Sequence, residues 1–245
     1  MDREYFYSIM NGEGTLDYEL YLNTKALLSC QKDFKDFCNA DELQFQLVHQ
    51  VEELWMKLIG YTLLDIDDYL QQENTNRVIT LFQRVHTAMR LLIDQLALLE
   101  TMSPKEYQEI RLQLGNGSGQ ESPGFRTLLK MHPHIWQSFK THYLDKHNQT
   151  VEQIYNSNYT HSDAYMVAEG LAEFDELFQR FRFVHLQLIQ RSIGLGSNSL
   201  KGRSVELLNE GLRVRFFPEL WDIRHQMTDL WGGKYGKVRD SIGGH

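Results

Sequence analysis

The stretch that decides the fold is residues 41–71, DELQFQLVHQVEELWMKLIGYTLLDIDDYLQ, in which apolar residues recur every three or four positions. This spacing places them on one face of an α-helix, whereas a half-buried strand would alternate apolar and polar residues. Asp41 precedes the apolar run, and its side chain can accept a hydrogen bond from the amides of a first turn. The pattern therefore predicts a capped helix over 41–71.

Similar patterns continue on both sides of this stretch. No proline precedes Pro104, which permits long uninterrupted helices, and we find neither an internal repeat nor a convincing strand. The expected class is all-α, a bundle of long antiparallel helices in a single domain over 1–245, with the terminal segments 1–16 and 232–245 mobile or engaged in oligomer contacts. Further helices are predicted near 17–37, 75–101, 104–114, 125–144, 162–193, 203–213 and 218–230, with glycine- and serine-rich loops at 115–124 and 194–202.

Composition excludes several classes of protein. The formal net charge of −8 argues against a nucleic-acid binder, which needs a basic face. No run of about 18 apolar residues is present, so no membrane span is expected. Cys30 and Cys38 form neither a disulfide framework nor a Cys-x-x-Cys metal pair. The first residues lack a signal-peptide pattern, and we expect a cytoplasmic protein.

Two histidines lie in apolar helical stretches, His49 within 43–55 and His185 within 174–186. Imidazole can ligate iron, form hydrogen bonds and move a proton near neutral pH. Two such groups on the inner faces of long helices would build a site inside a bundle. The alternative for each is a hydrogen-bonded core histidine without chemistry.

The spacing of possible ligands narrows the choice of metal site. A di-iron bundle needs Glu-x-x-His pairs, and zinc sites usually show His-Glu-x-x-His or cysteine clusters; this chain has none of these. Haem held non-covalently by one histidine remains allowed. The residues three before His49, His86 and His185 are Gln46, Gln83 and Arg182.

Arg111 follows Tyr107 by one helical turn, so both side chains share a face. A guanidinium beside an aromatic ring suits a carboxylate attached to a planar group. The alternative is a solvated arginine. The glycine- and serine-rich loops match no nucleotide-binding pattern.

Taken together, these segments resemble the tryptophan 2,3-dioxygenase family in order along most of the chain. The resemblance rests on Tyr18–Leu22, on Phe45-x-x-x-His49-Gln50 with Glu53-Leu54-Trp55, on Leu99–Met102 followed by Arg111 and Ser118-Gly119, on Phe181–His185, and on Phe216–Trp221 with Arg224.

The resemblance implies an all-helical haem b enzyme, usually a homotetramer, although a dimer is possible. The family inserts both atoms of O₂ across the C2–C3 bond of the indole of L-tryptophan, giving N-formylkynurenine. By position, His185 would be the axial iron ligand, and His49 would form a hydrogen bond with the indole nitrogen.

The other site residues follow from the same resemblance. Arg111 would pair with the substrate carboxylate. Phe45 and Tyr107 would wall the indole pocket. Trp55 and Ser118 would lie by the haem, the latter beside a propionate. Tyr18 and Tyr21 would complete the pocket of a neighbouring subunit.

The chain also departs from the family pattern. The family's Gly-Thr-Gly-Gly loop is replaced by Asn198–Lys201, where Ser199 keeps a hydroxyl at the threonine position, and Glu52 stands where the family has a tyrosine. Glu52 could pair with a substrate ammonium, which suggests a tryptophan derivative or another indole-bearing acid as substrate. Alternatively Glu52 points outward, and the enzyme is an ordinary tryptophan dioxygenase.

Three further functions stay open at this point. They are mono-oxygenation of a substituted tryptophan or indole acid in a biosynthetic pathway, haem binding or sensing without catalysis, and a structural bundle without a cofactor.

Overall fold

The computed structural model describes residues 1–115, 117, 119–158, 160–196, 211–230, 233 and 235–239. Within these ranges every regular element is helical, so the predicted all-α class is confirmed. The α-helices are α1 Arg3–Met10, α2 Asp17–Leu22, α3 Thr24–Leu28, α4 Glu42–Gln71, α5 Thr75–Leu99, α6 Pro104–Gln113, α7 Pro123–Phe139, α8 Val151–Tyr155, α9 Asp163–Ser192 and α10 Pro218–Asp229.

Helices α4 and α5 form an antiparallel hairpin. The side chain of Asn74 accepts a hydrogen bond from the amide of Arg77 and caps α5. Near the other end, Gln44 Nε2 on α4 donates to the carbonyl of Leu98 on α5 at 2.5 Å. The apolar stripe predicted for α4, including Val48, Met56, Ile59, Leu63 and Leu70, is buried.

Helix α7 lies beside α4 and runs parallel to it. Glu53 on α4 accepts from the amide of Gly124 at the start of α7 (2.9 Å), and Asp67 accepts from the hydroxyl of Ser138 near its end (2.5 Å). Since α7 starts where α4 starts, the loop before α7 lies at the His49 end of the bundle.

Helix α9 lies beside α5 and also runs parallel to it. Thr75 at the start of α5 donates to Asp163 at the start of α9 (3.0 Å), and Arg90 pairs with Glu173 further along. Consecutive long helices therefore alternate in direction, as an antiparallel bundle requires. The start of α4, the end of α5, α6, the start of α7 and the end of α9 meet at one end of the bundle.

A buried carboxylate fixes the C-terminal segment to α9. Asp175 is fully buried and accepts from the amides of Phe216 (2.9 Å) and Phe217 (3.2 Å) and from Trp221 Nε1 (2.8 Å). Two turns later, Arg182 donates to carbonyls at 211 and 214. The segment that follows the 194–210 connection is thereby held close to the turn that carries His185.

The predicted helix over 17–37 is wrong as a single element. Asn23 has a φ of 54° and an αL conformation, which ends α2 and separates it from α3. The predicted cap of α4 is also wrong, since Asp41 makes no capping bond with its side chain. Instead Asn39 Oδ1 accepts from the amide of Asp41 at 3.0 Å. The predicted helix over 203–213 lies almost entirely outside the described residues.

None of the helices in the described ranges combines the length and apolar character that crossing a bilayer requires. The first segment, 1–16, contains the exposed helix α1. Its role in oligomer contacts stays a prediction, and most of the tail over 232–245 lies outside the described residues.

Candidate functional site

The geometry of His49 defines its tautomer. Its Nδ1 lies 2.7 Å from the carbonyl oxygen of Phe45, one turn earlier on α4. Because a carbonyl only accepts, Nδ1–H donates, and Nε2 of a neutral ring keeps its lone pair. Burial lowers the pKa of His49, although the bond to Phe45 and the charge of Glu53 oppose this. The imidazole is therefore neutral at physiological pH, with Nε2 as an acceptor.

His185 lies on α9, which shares the bundle interior with α4. Burial lowers its pKa to about 4, and His49 adds to the decrease. This effect of His49 on His185 places the two imidazoles in one region of the interior. His185 stacks on Phe181 with ring centroids 6.3 Å apart, and no hydrogen bond joins its ring to the described residues.

These properties fit the requirements of a haem site. An axial ligand to haem iron must be a neutral imidazole with an unprotonated ring nitrogen. His185 is neutral and half-buried, and its ring is not committed to another described side chain. Apolar surroundings, including Phe181 and Val184, are also those that a porphyrin needs. The donor set is compatible with haem b held by one histidine.

Helix α6 brings a second part of the predicted site to the same end of the bundle. The helix begins at Pro104, as predicted, and the side chain of Ser103 caps it. The rings of Tyr107 and Phe45 lie 6.3 Å apart, and those of Phe45 and His49 lie 4.2 Å apart. Tyr107, Phe45 and His49 therefore form a continuous aromatic row.

Arg111 follows Tyr107 by one turn on α6. Its Nη1 lies 3.4 Å from Oε1 of Gln108. The helix is held to the segment before α4, because Asn39 Nδ2 donates to the Glu106 carbonyl and to Glu109 Oε2, both at 3.0 Å. The structure thus places a cation next to Tyr107, the member of the aromatic row furthest from His49.

Glu53 is a positioning residue that the sequence pattern did not single out. It accepts from the hydroxyl of Ser122 and the amide of Gly124. A Cβ at Gly124 would lie 2.6 Å from Cβ of Met56, so only glycine permits this approach of α7 to α4. These contacts fix Ser122 and Gly124 beside the turn of α4 that follows His49.

Glu52 is buried, with only 8% of its surface exposed, so the alternative in which it points outward is wrong. Its Oε1 has no hydrogen-bond partner among the described residues. Burial, with a smaller contribution from the charge of Glu53, raises the pKa of Glu52 to about 7.

This pKa predicts a pH-dependent stability. Because the folded-state pKa of Glu52 exceeds its ordinary value of 4.5, its contribution is complete below about pH 4.5 and is lost as the pH rises through about 7. Between pH 5 and pH 8, the free energy of unfolding of wild type, measured with urea, should fall by up to about 3 kcal/mol relative to that of Glu52→Gln. Asp94→Asn, an exposed site on α5, should leave the pH dependence unchanged. Parallel pH profiles for wild type and Glu52→Gln would contradict the prediction.

Other predicted residues lie elsewhere or outside the described ranges. Six residues after His49, Trp55 points about 120° away around α4 and lines a shallow groove with Leu58 and Leu91. Tyr18 and Tyr21 on α2 are 72% and 90% exposed, so their own chain does not bury them in a pocket. Ser118 and Ser199 lie outside the described residues.

Comparison with known proteins gives consistent results. The family model described as tryptophan 2,3-dioxygenase matches residues 8–153, which include His49, Tyr107 and Arg111. Tryptophan 2,3-dioxygenase from Myxococcus xanthus is 30% identical, with 88% of this chain and 91% of the relative covered.

Two further relatives carry the same name. The protein from Serratia proteamaculans is 28% identical, with 86% of this chain and 93% of the relative covered. The protein from Xanthomonas euvesicatoria pv. vesicatoria is 27% identical, with 86% and 88% covered. This chain therefore belongs to the tryptophan 2,3-dioxygenase family of haem-dependent dioxygenases.

Proposed function

We propose that this protein binds haem b and uses O₂ to open the indole ring of L-tryptophan or a tryptophan derivative between C2 and C3, giving an N-formylkynurenine-type product. The observation that carries the proposal is the meeting of two neutral imidazoles, His49 and His185, beside the row from Phe45 to Arg111. Haem, when bound, supplies the redox chemistry that activates O₂.

The described side chains bind the haem and position the substrate. His185 would hold the iron of the haem through its unprotonated nitrogen. His49 accepts the indole N–H at Nε2, because its Nδ1–H is already donated to the Phe45 carbonyl. Phe45 and Tyr107 contact the faces and edge of the indole, and the guanidinium of Arg111 pairs with the substrate carboxylate. Much of the contribution is positioning of the ring within reacting distance.

A homo-oligomer, with four or two copies, is part of the proposal. Tyr18 and Tyr21 lie on a short helix that leaves both rings exposed. Exposed aromatic rings of this kind favour burial against another molecule. We propose that α2 completes the pocket of a second copy, and that residues 1–245 form one domain.

Labelled oxygen tests the reaction. Ferrous protein given L-tryptophan and ¹⁸O₂ should yield a ring-opened product that contains two labelled atoms. One labelled atom would indicate mono-oxygenation instead. Absence of O₂ consumption with every indole acid tried would indicate haem binding without catalysis.

Arg111 offers a sharper test of the substrate pose. Arg111→Leu should lower kcat/KM for L-tryptophan by about 100- to 1000-fold, since it removes two charge-assisted hydrogen bonds. Arg111→Lys should lose about tenfold, because lysine keeps the charge without the bidentate geometry. Steady-state O₂ consumption measures both effects.

Tryptamine, which lacks the carboxylate, is the matched control substrate. Its low rate should be the same in wild type and Arg111→Leu. Equal losses with L-tryptophan and tryptamine would show that Arg111 acts on the fold or on the haem rather than on the carboxylate.

A further inference from the structure

The carboxyl of Glu52 lacks a partner at a position where the bundle is otherwise apolar. On the buried face of α4, the residues one turn before and after it are Val48 and Met56. Burying a polar atom without a hydrogen bond is unfavourable, so such an atom indicates a binding partner that supplies the missing hydrogen bond. The side chain is 8% exposed, and its Oε1 is bonded to none of the described residues.

A second unpartnered polar atom lies on the neighbouring helix, α5. Gln95 Nε2 is buried without a hydrogen bond within the described residues. Since Gln44 bonds to the Leu98 carbonyl in the antiparallel hairpin, Gln95 lies opposite position 47, about 3 Å along the bundle from the level of His49 and about 8 Å from that of Glu52. Side chains lean towards the N-terminus of their own helix, so in this antiparallel pair the side chains of Glu52 and Gln95 lean towards each other. An amide N–H₂ donates, and a carboxyl oxygen accepts, so the two atoms have complementary requirements. A hydroxyl group placed between the two would satisfy both, because it donates one hydrogen bond and accepts another.

The row of site residues shows which part of a substrate approaches this pair. Along α4, Phe45, His49 and Glu52 occupy successive turns, and Tyr107 lies on the Phe45 side. Phe45 and Glu52 are separated by about 10 Å of helix. A substrate carboxylate at Arg111 therefore lies at the opposite end of the row from Glu52.

The ammonium of an amino acid is attached to the same carbon as its carboxylate, so it stays near Arg111 and does not reach Glu52. With the indole nitrogen at His49, the part of the substrate directed towards Glu52 is the benzene edge of the ring. A pairing of Glu52 with the ammonium is therefore inconsistent with this pose.

We propose that Glu52 and Gln95 determine substrate specificity by binding a hydroxyl group on the benzene ring of the indole, so that a ring-hydroxylated tryptophan is the preferred substrate. This inference rests on the function proposed above, because it uses the pose in which Arg111 holds the carboxylate and His49 the indole nitrogen. Sites that hydrogen-bond a substrate hydroxyl discriminate strongly against analogues that lack it.

Equilibrium binding to the ferric holoprotein tests the inference without turnover. Dissociation constants are measured from the change in the haem absorption band with L-tryptophan, with 5-, 6- and 7-hydroxy-L-tryptophan, and with the corresponding methyl compounds. We expect at least one hydroxy compound to bind at least about tenfold more tightly than its methyl counterpart. Glu52→Leu and Gln95→Leu should each remove this preference, and Glu52→Gln should retain part of it. Asp94→Asn, next to Gln95 but exposed, should retain it fully.

Two results would overturn the inference alone. The first is that wild type binds hydroxy and methyl compounds with equal affinity. The second is that the preference for the hydroxy compound persists in both leucine variants. In each case L-tryptophan must still be converted to a doubly labelled product, so that the proposed function itself is intact. If no indole acid binds and none is oxidised, the proposed function fails as well, and the inference fails with it.

Discussion

Replacement of His185 by alanine is expected to give a folded protein that no longer retains haem. His185 is a neutral imidazole in the region of His49, and its ring nitrogens are not hydrogen-bonded to described residues. Haem that is held by one protein ligand depends on the bond between that ligand and the iron. Haem content after purification should fall by more than about tenfold. Alanine leaves a cavity in place of the ring, so added imidazole should restore the haem absorption band. The absorption spectrum and haem-to-protein ratio measure both effects.

His132 on α7 provides a matched control. Burial lowers the pKa of His132 to about 4, as for His185, but its ring contacts Phe216 at 4.2 Å rather than the region of His49. His132→Ala should keep its haem, and imidazole should not change its spectrum. Full haem content in His185→Ala, or a loss in that variant which imidazole does not reverse, would show that His185 is not the axial ligand.

The helices that carry the site could be predicted because their signals are local. The period of apolar residues in α4, α5 and α9 extends over 25 to 30 residues, long enough to define a buried face. His49 and His185 lie in these helices, so the same pattern predicted that their side chains point towards the interior. The signal for the start of α6 at Pro104 was likewise local, and this start is confirmed.

The remaining features depend on contacts between distant residues. Glu52 and Glu53 are adjacent and chemically alike, yet one is an unpartnered buried acid and the other anchors α7 through a residue 71 positions away. No local pattern distinguishes them. Asn23 breaks the predicted N-terminal helix because it adopts positive φ, which asparagine tolerates but does not require.

Asp175 shows the same limitation most clearly. It lies between phenylalanines on α9. Gln179, one turn later, donates to its Oδ1 at 2.8 Å, but the three donors to its Oδ2 are 41, 42 and 46 residues away. Asp175→Ala would leave two amides and the Trp221 indole N–H without their acceptor. Each unsatisfied buried donor costs about 1–3 kcal/mol, so three of them predict a loss of at least about 3 kcal/mol in the free energy of unfolding. Urea denaturation measures it, and hydrogen exchange should show lost protection over 211–230.

Two other variants distinguish the loss of the Asp175 hydrogen bonds from the effect of any substitution on α9. Asp175→Asn keeps one acceptor oxygen and should lose clearly less stability than Asp175→Ala. Glu176→Ala, one residue further on and exposed, should change stability by less than about 0.5 kcal/mol. Equal losses in Asp175→Ala and Glu176→Ala would contradict an anchoring role for Asp175.

The consequences of losing Asp175 should extend to the site. Phe216 packs on Phe178 with ring centroids 4.5 Å apart, and Phe178 stacks on Phe125 at 5.3 Å. Phe125 belongs to the first turn of α7, which Glu53 holds beside His49. Release of the C-terminal segment therefore loosens the aromatic packing between α7 and α9, and Asp175→Ala should bind haem more weakly although Asp175 contacts neither imidazole. Haem dissociation to an acceptor protein, compared between Asp175→Ala and Glu176→Ala, measures this coupling, and equal rates would show that the anchor and the site are independent.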